Sequence, residues 1–149
     1  MKPIYKFTEH KAAIKAIAWS PHKKGLVASG GGQGCKKIHF WDTLTGEKVQ
    51  SVDTGSQVSN LAWLKHTNEL ISTHGTPNNQ VHMWQWPSLE KSETITGHSQ
   101  RILYLAVSPS EEVIVTGSSD ESLRFWNIYN KPKSLYECES PLGMLGKIR

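Results

Sequence analysis

The sequence is poor in cysteine. Its two cysteines, Cys35 and Cys138, lie far apart, so there is no Cys-x-x-Cys pair for a zinc ribbon or a thioredoxin-type redox site. Long apolar runs are lacking too. None approaches the ~18 residues of a membrane-spanning helix, and the opening MKPIYKFTEHK contains no apolar signal region. No Asn-x-Ser/Thr acceptor occurs. These absences lead us to expect a protein of a reducing compartment, nucleus and cytoplasm, with no membrane association. Strong charge of one sign is also missing. The 17 basic and 13 acidic residues leave a net charge of +4, and the basic residues cluster only briefly, at His22–Lys24 and Lys36–Lys37. Nucleic-acid binders gather Lys and Arg into a stripe and interleave aromatics for stacking, so no nucleic-acid partner is expected. No stretch shows a helical period of apolar residues.

What the sequence has in abundance is tryptophan, six in 149 residues. Such large rings let short elements build a core. It also repeats. IKAIAW (14–19), VSNLAW (58–63) and ILYLAV (102–107) end 44 residues apart in both steps. KIHFWD, QVHMWQ and SLRFWN align on Trp41, Trp84 and Trp126, at spacings of 43 and 42. Between the two sets lie LVASG, LISTH and VIVTG. Three features recurring in one order every ~40–45 residues are the signature of propeller blades. Each feature is a short alternating or β-branched run bounded by Gly, Ser, Asn or Pro, which reads as a strand.

The spacing predicts strands at 14–19, 26–29, 37–42 and 48–52, then 58–63, 69–73, 80–86 and 91–95, then 102–107, 113–117 and 122–128. Residues 4–8 read as a stray outer strand of a preceding blade. The fold class is therefore all-β, a partial WD-repeat β-propeller of about three four-stranded blades plus that strand. Its expected units are 1–9, 10–55, 56–97, 98–128 (a last blade without an obvious outer strand) and 129–149. The last is a mobile tail in which LYECE could add a short strand. Closed propellers need ~4–8 blades, and an open array leaves strand edges and apolar faces uncovered. The expectation is a fragment or a truncated product of a longer chain.

The third unit is the best formed. Gly97-His98 precedes its first strand, Thr116 lies on the second, Asp120 in the next turn and Trp126 on the third. In WD-repeat proteins a His, a Ser/Thr, an Asp and a Trp at these places share one hydrogen-bonded network, and a satisfied buried network fixes a single arrangement. We assign His98, Thr116, Asp120 and Trp126 to structure. The first unit keeps His10, Ser29 and Trp41 without the turn Asp. The second keeps Ser72 and Trp84 but has Gly55-Ser56 in place of Gly-His.

The stretches TEHKAAIKAIAWSPHKKGLVASGGG, DTGSQVSNLAW, ELISTHG, TGHSQRILYLAVSP and ESLRFWN, together with the terminal Ile148-Arg149, closely resemble the C-terminal propeller half of the Fizzy/Fizzy-related family. They come closest to its Fizzy-related branch. Members are substrate-receptor coactivators of the anaphase-promoting complex, a ubiquitin ligase. The match covers nearly all of residues 5–128 and the last two. The family's C-box region and first blades are not in this sequence, and 130–146 shows no clear match.

The resemblance implies a KEN-box degron site at Gln57 and Arg101, each just before a blade's innermost strand, and at Gln33 in the loop GGGQGCKK, where the residue type departs from the family. From the repeat alone, Gln57 and Arg101 are ordinary solvated rim residues; the resemblance reverses that weighting. Residues preceding successive inner strands ring the channel mouth, where Arg101 can pair with a carboxylate and Gln57 with amides. The resemblance also implies D-box recognition at Glu121, whose alternative is a surface turn charge. It further implies docking of Ile148 and Arg149 on a tetratricopeptide-repeat subunit of the ligase. Burial of Ile148 contributes about 2 kcal/mol and charge-assisted bonds from Arg149 about 1.5–3 kcal/mol each, a weak anchor once association entropy is subtracted.

GGGQGCKK matches neither a P-loop nor G-x-G-x-x-G; it reads as a β-turn with a bulge in which Gly supplies positive φ. The seven histidines contain no H-E-x-x-H set, and His39 and His82, at equivalent repeat positions, read as core or surface polar residues. No metal or other cofactor is expected. No nucleophile–base pair stands out, so the expectation is a non-catalytic receptor. The competing reading is a generic or truncated scaffold without degron binding that competes for the ligase.

Overall fold

The computed structural model describes residues 2–129. They form eleven strands in three antiparallel sheets. The first sheet holds β1 (Ile14–Trp19), β2 (Leu26–Gly31), β3 (Lys37–Asp42) and β4 (Glu47–Asp53) in that order. The second holds β5 (Val58–Trp63), β6 (Glu69–His74), β7 (Val81–Gln85) and β8 (Glu90–Ile95). The third holds β9 (Ile102–Val107), β10 (Val113–Ser118) and β11 (Leu123–Asn127). Each predicted strand of these blades forms within one or two residues of its expected limits. β1, β5 and β9 pack successively against one another, so they are the inner strands of three blades fanned about a shared axis.

Alternation along the strands divides the apolar residues between two interfaces. Ala16, Leu26, Ala28, Ile38 and Phe40 of the first blade meet Val58, Trp63, Leu70 and Trp84 of the second. Leu64, Ile71, Val81 and Met83 then meet Ile102, Ile114 and Ile128 of the third. Leu70 and Ile71 are neighbours in sequence yet fill different cores. The middle blade is thus apolar on both faces, whereas the outward faces of its neighbours leave Trp19, Tyr104, Leu123 and Phe125 exposed. Each fully buried side chain of Leu or Ile size contributes about 1.5–3 kcal/mol.

Polar clamps cross the same interfaces. Glu111, in the β9–β10 turn, is buried and accepts hydrogen bonds from the backbone N–H of Lys65 (2.8 Å to each oxygen) and His66 (3.0 Å). Burial alone would raise its pKa, but those two N–H groups outweigh it and hold the carboxyl below its ordinary value. His22 Nε2 donates to the carbonyl of Leu64 at 2.7 Å, joining the first blade to the second.

Each blade builds its own tryptophan anchor. In the third, Trp126 Nε1 donates to Thr116 Oγ1 (2.8 Å), His98 Nε2 bonds the same hydroxyl (2.8 Å) and His98 Nδ1 bonds Asp120 Oδ2 (2.9 Å). Gly97 makes room for it: a Cβ there would lie 2.7 Å from Trp126 Cη2. In the second, Trp84 Nε1 donates to Ser72 Oγ (2.7 Å), and the histidine on that hydroxyl is His74 of β6 itself (Nε2, 2.8 Å). His74 replaces the histidine that Gly55-Ser56 lacks. In the first, Trp41 and His10 both bond Ser29 Oγ at 2.7 Å.

Two expectations are corrected. Residues 4–8 form no strand. A strand exists only as one side of a ladder, and no described strand pairs with this segment. Phe7 instead stacks on Trp41 with ring centroids 4.3 Å apart, and Glu9 pairs with Lys48. In the β2–β3 loop the left-handed residue is Lys36 (φ 56°), not a glycine. Its backbone is tied on both sides: its N–H donates to Gly32 O, and its carbonyl accepts from both the N–H and the hydroxyl of Thr54, each at 2.9 Å. The tail predicted at 129–149, with LYECE, Ile148 and Arg149, lies outside the described residues apart from Tyr129.

Candidate functional site

The register decides which end of the fan carries the candidate residues. Ile14 pairs with Gly31, Val58 with His74, and Ile102 with Ser118. The start of each inner strand therefore lies beside the loop joining the second and third strands of its blade. Gln33, Gln57, Arg101, Asp120 and Glu121 all fall on that end, the mouth end. The β1–β2, β5–β6 and β9–β10 turns, with His22 and Glu111, lie at the other.

Gln57 and Arg101 come from different blades and converge on Gly75. A Cβ built on Gly75 would lie 3.4 Å from Gln57 Nε2 and 3.6 Å from Arg101 Cβ, and the Gly75 N–H donates to Gln57 O at 3.1 Å. Beside them is a polar cleft of about 350 Å³ lined by Thr76, Asn79, Ser99, Gln100, Arg101 and Ser119. Arg101 is exposed, and its Nε donates to Ser119 Oγ (3.2 Å). Its backbone carbonyl accepts from Ser118 Oγ (3.0 Å) and the Ser119 N–H (3.1 Å). The stem is thereby fixed and the guanidinium fork is presented at the surface. The lining offers hydroxyls, amides and one cation, a set matched to a peptide's carboxylates and amides.

Asn79 ties the cleft together. Left-handed at φ 49°, it donates from Nδ2 to Ser99 O at 3.2 Å, bridging the second and third blades. Its Oδ1 is buried without a partner among the described residues. Sequence reasoning passed over Asn79 and the cleft's Thr76, Ser99, Gln100 and Ser119. The Asn78-Asn79 pair, a residue type that tolerates the left-handed region, was the available signal. Gln33 is exposed in the first blade's loop and is not among the cleft's lining.

Asp120 and Glu121 differ in how they are engaged. The Asp120 carboxylate accepts from Ser122 Oγ (2.6 Å), His98 and the Ser99 N–H (3.1 Å). The Ser122 bond first, then His98 and the backbone, hold it well below the ordinary carboxylate pKa in spite of the opposing effect of desolvation. Glu121 is exposed in the next position of the turn, at φ 64°. Asp120 is thus occupied within its blade, and Glu121 presents its carboxylate to solvent.

The WD domain, G-beta repeat model matches residues 1–42 and 89–127, more than half of the chain. The chain is 54% identical over 144 residues to the B-type cell cycle switch protein ccs52A of Medicago truncatula, covering 97% of this chain and 30% of that protein. It is 57% identical over 132 residues to the anaphase-promoting complex subunit cdh1 of Dictyostelium discoideum, covering 89% and 18%. It is 52% identical over 132 residues to meiotic fizzy-related protein 1 of Schizosaccharomyces pombe, covering 87% and 31%. The chain therefore spans about a third or less of the curated relatives it matches. A chain in a crystal structure of a mitotic checkpoint complex superposes with a TM-score of 0.83 at 45% identity, over 87% of this chain and 40% of that one.

Proposed function

Because the chain belongs to the WD domain, G-beta repeat family, we propose that it is the degron-reading part of a non-catalytic activator of the anaphase-promoting complex, working in nucleus and cytoplasm. Its similarity to the Dictyostelium anaphase-promoting complex subunit and to a fizzy-related protein supports that assignment. The observation that carries it is the meeting of Gln57 and Arg101, from separate blades, at Gly75 beside a polar cleft. Such a rim grips an extended peptide: Arg101 takes the acidic side chain of a KEN box and Gln57 its amide or backbone. Glu121 takes the Arg of a D-box. Ile148 and Arg149 dock on a tetratricopeptide-repeat subunit of the ligase. The mechanism is proximity, since a substrate held beside the ligase reacts at a raised effective concentration.

The test is fluorescence anisotropy with a labelled KEN-box peptide. Removing a charge-assisted bond costs about 1.5–3 kcal/mol, so Arg101→Ala should weaken binding roughly 10- to 100-fold. Gln57→Ala, which loses a neutral bond, should weaken it only several-fold. Affinity unchanged in both variants would reject the site.

A further inference from the structure

The first blade holds a cluster that the degron reading does not use. In the third blade His98 Nδ1 bonds a turn carboxylate, Asp120. In the first blade the same ring nitrogen of His10 bonds a thiol, Cys35 Sγ, at 3.2 Å. Cysteine has taken the acid's place. His39 of β3 closes the group, its ring centroid 4.5 Å from that of His10. One donor atom from each of His10, Cys35 and His39 lies within 4.8 Å of the others. His39 is 95% buried by its 5% exposure, and neither of its ring nitrogens has a hydrogen-bond partner among the described residues. A buried imidazole without a partner is costly, and its place against the His10–Cys35 pair indicates what would satisfy it.

We propose that His10, Cys35 and His39 form a three-ligand site for a zinc-class divalent cation, with solvent in the fourth position. Two imidazoles and a thiolate are a zinc donor set. Metal–donor bonds of about 2.0–2.3 Å at tetrahedral angles place donors about 3.3–3.6 Å apart. The His10–Cys35 pair, at 3.2 Å, is a few tenths of an ångström closer than that and must open slightly, while His39, within 4.8 Å of the others, must close by at most about 1.5 Å. Space and orientation are provided. Gly31 leaves the room, since a Cβ there would lie 2.6 Å from Cys35 Cβ and 2.8 Å from both Cys35 Sγ and His10 Nδ1. Ser29 holds the far nitrogen of His10 at 2.7 Å, the outer hydrogen bond that fixes a ligating imidazole's tautomer. On binding, the Cys35 thiol releases its proton to solvent. His10 keeps its proton on Nε2, donated to Ser29 Oγ, and turns the Nδ1 lone pair to the metal. The ion would staple the strandless segment that carries His10 to β3 and to the β2–β3 loop.

The test is a Co2+ titration of the full chain under reducing conditions, in a Cys138→Ser background so that Cys35 is the sole thiol. One equivalent of Co2+ should bring up a thiolate-to-cobalt charge-transfer band, which Zn2+ then bleaches. His39→Gln should weaken Co2+ binding at least ten-fold. Cys35→Asp, which restores the acid found in the third blade and so preserves the fold, should abolish the band. No band at saturating Co2+, a band that survives Cys35→Asp, or an affinity unmoved by His39→Gln would each overturn the site.

Discussion

Lowering the pH of the folded chain from about 6.5 to 4 is expected to remove several kcal/mol of stability, with the His74–His82 pair the main cause. His74 is fully buried, and burial first, then the nearby His82 and Lys91, pushes its pKa down from 6.5 to about 3; the backbone of Gln57 and Ser56 opposes this only in part. His82, whose ring centroid is 4.4 Å away, is held at about 4 by burial and by Lys91. Well above pH 6.5 both rings are neutral in the folded and the unfolded chain, and stability is complete. As pH falls below 6.5 the unfolded chain binds protons that the folded chain refuses. Each unit of pH then costs up to about 1.4 kcal/mol from His74, and His82 adds nearly as much until its folded ring begins to protonate near pH 4. The loss ends near pH 3, where the folded ring itself protonates. Asp120 and Glu111, both held below their ordinary values, act in the same direction only at the acidic end, because the unfolded carboxyls must begin to protonate first. Urea unfolding at half-unit pH steps measures the slope, and His74→Gln should reduce it by roughly half, leaving the part due to His82. A level profile from pH 6.5 to 4 would show that the pair is not buried neutral.

The second large effect separates the middle blade from its neighbours. Ile71→Ala should cost about 2–5 kcal/mol, since Ile71 is fully buried in the second interface with Met83, Ile102 and Ile114. Leu123→Ala removes a similar volume from the outward face of the third blade, where Leu123 is 70% exposed, and should change stability by less than about 0.5 kcal/mol. Chemical denaturation measures both, and the shift should lie in the midpoint at constant m. Equal losses would mean that the middle blade is not covered on two sides.

The strands were legible because their signals are local. Alternation, β-branching and flanking Gly, Ser or Pro are read one segment at a time, and the repeat supplied the phase. What the sequence hid depends on other segments. Residues 4–8 carry a strand pattern but find no ladder, so Phe7 turns onto Trp41 instead. His74 does the work of a Gly-His histidine from two residues beyond Ser72, a place that repeat alignment does not search. Glu111 looks like one acidic residue among many until its turn meets the N–H groups of Lys65 and His66. Lys36 adopts the left-handed angle beside four glycines because its backbone is tied on both sides, while Gly31 is needed for space. The same reasoning explains the candidate site. Position before an inner strand was enough to put Gln57 and Arg101 on the mouth rim, but only the family resemblance singled them out, whereas Asn79 and Thr76 belong to a loop whose direction the sequence does not state. His10, Cys35 and His39 come from three separate elements, so a rule based on ligand spacing along one helix passes over them.

On the proposed degron reading, a linear peptide is held on the mouth end of the fan, between the second and third blades. A KEN-box peptide carrying a photoreactive residue, irradiated with the chain and mapped by mass spectrometry, tests it most directly. Cross-links should fall at Gln57, at 75–79 and at 99–101. Cross-links confined to the opposite turns at 20–25, 64–68 and 108–112 would contradict it.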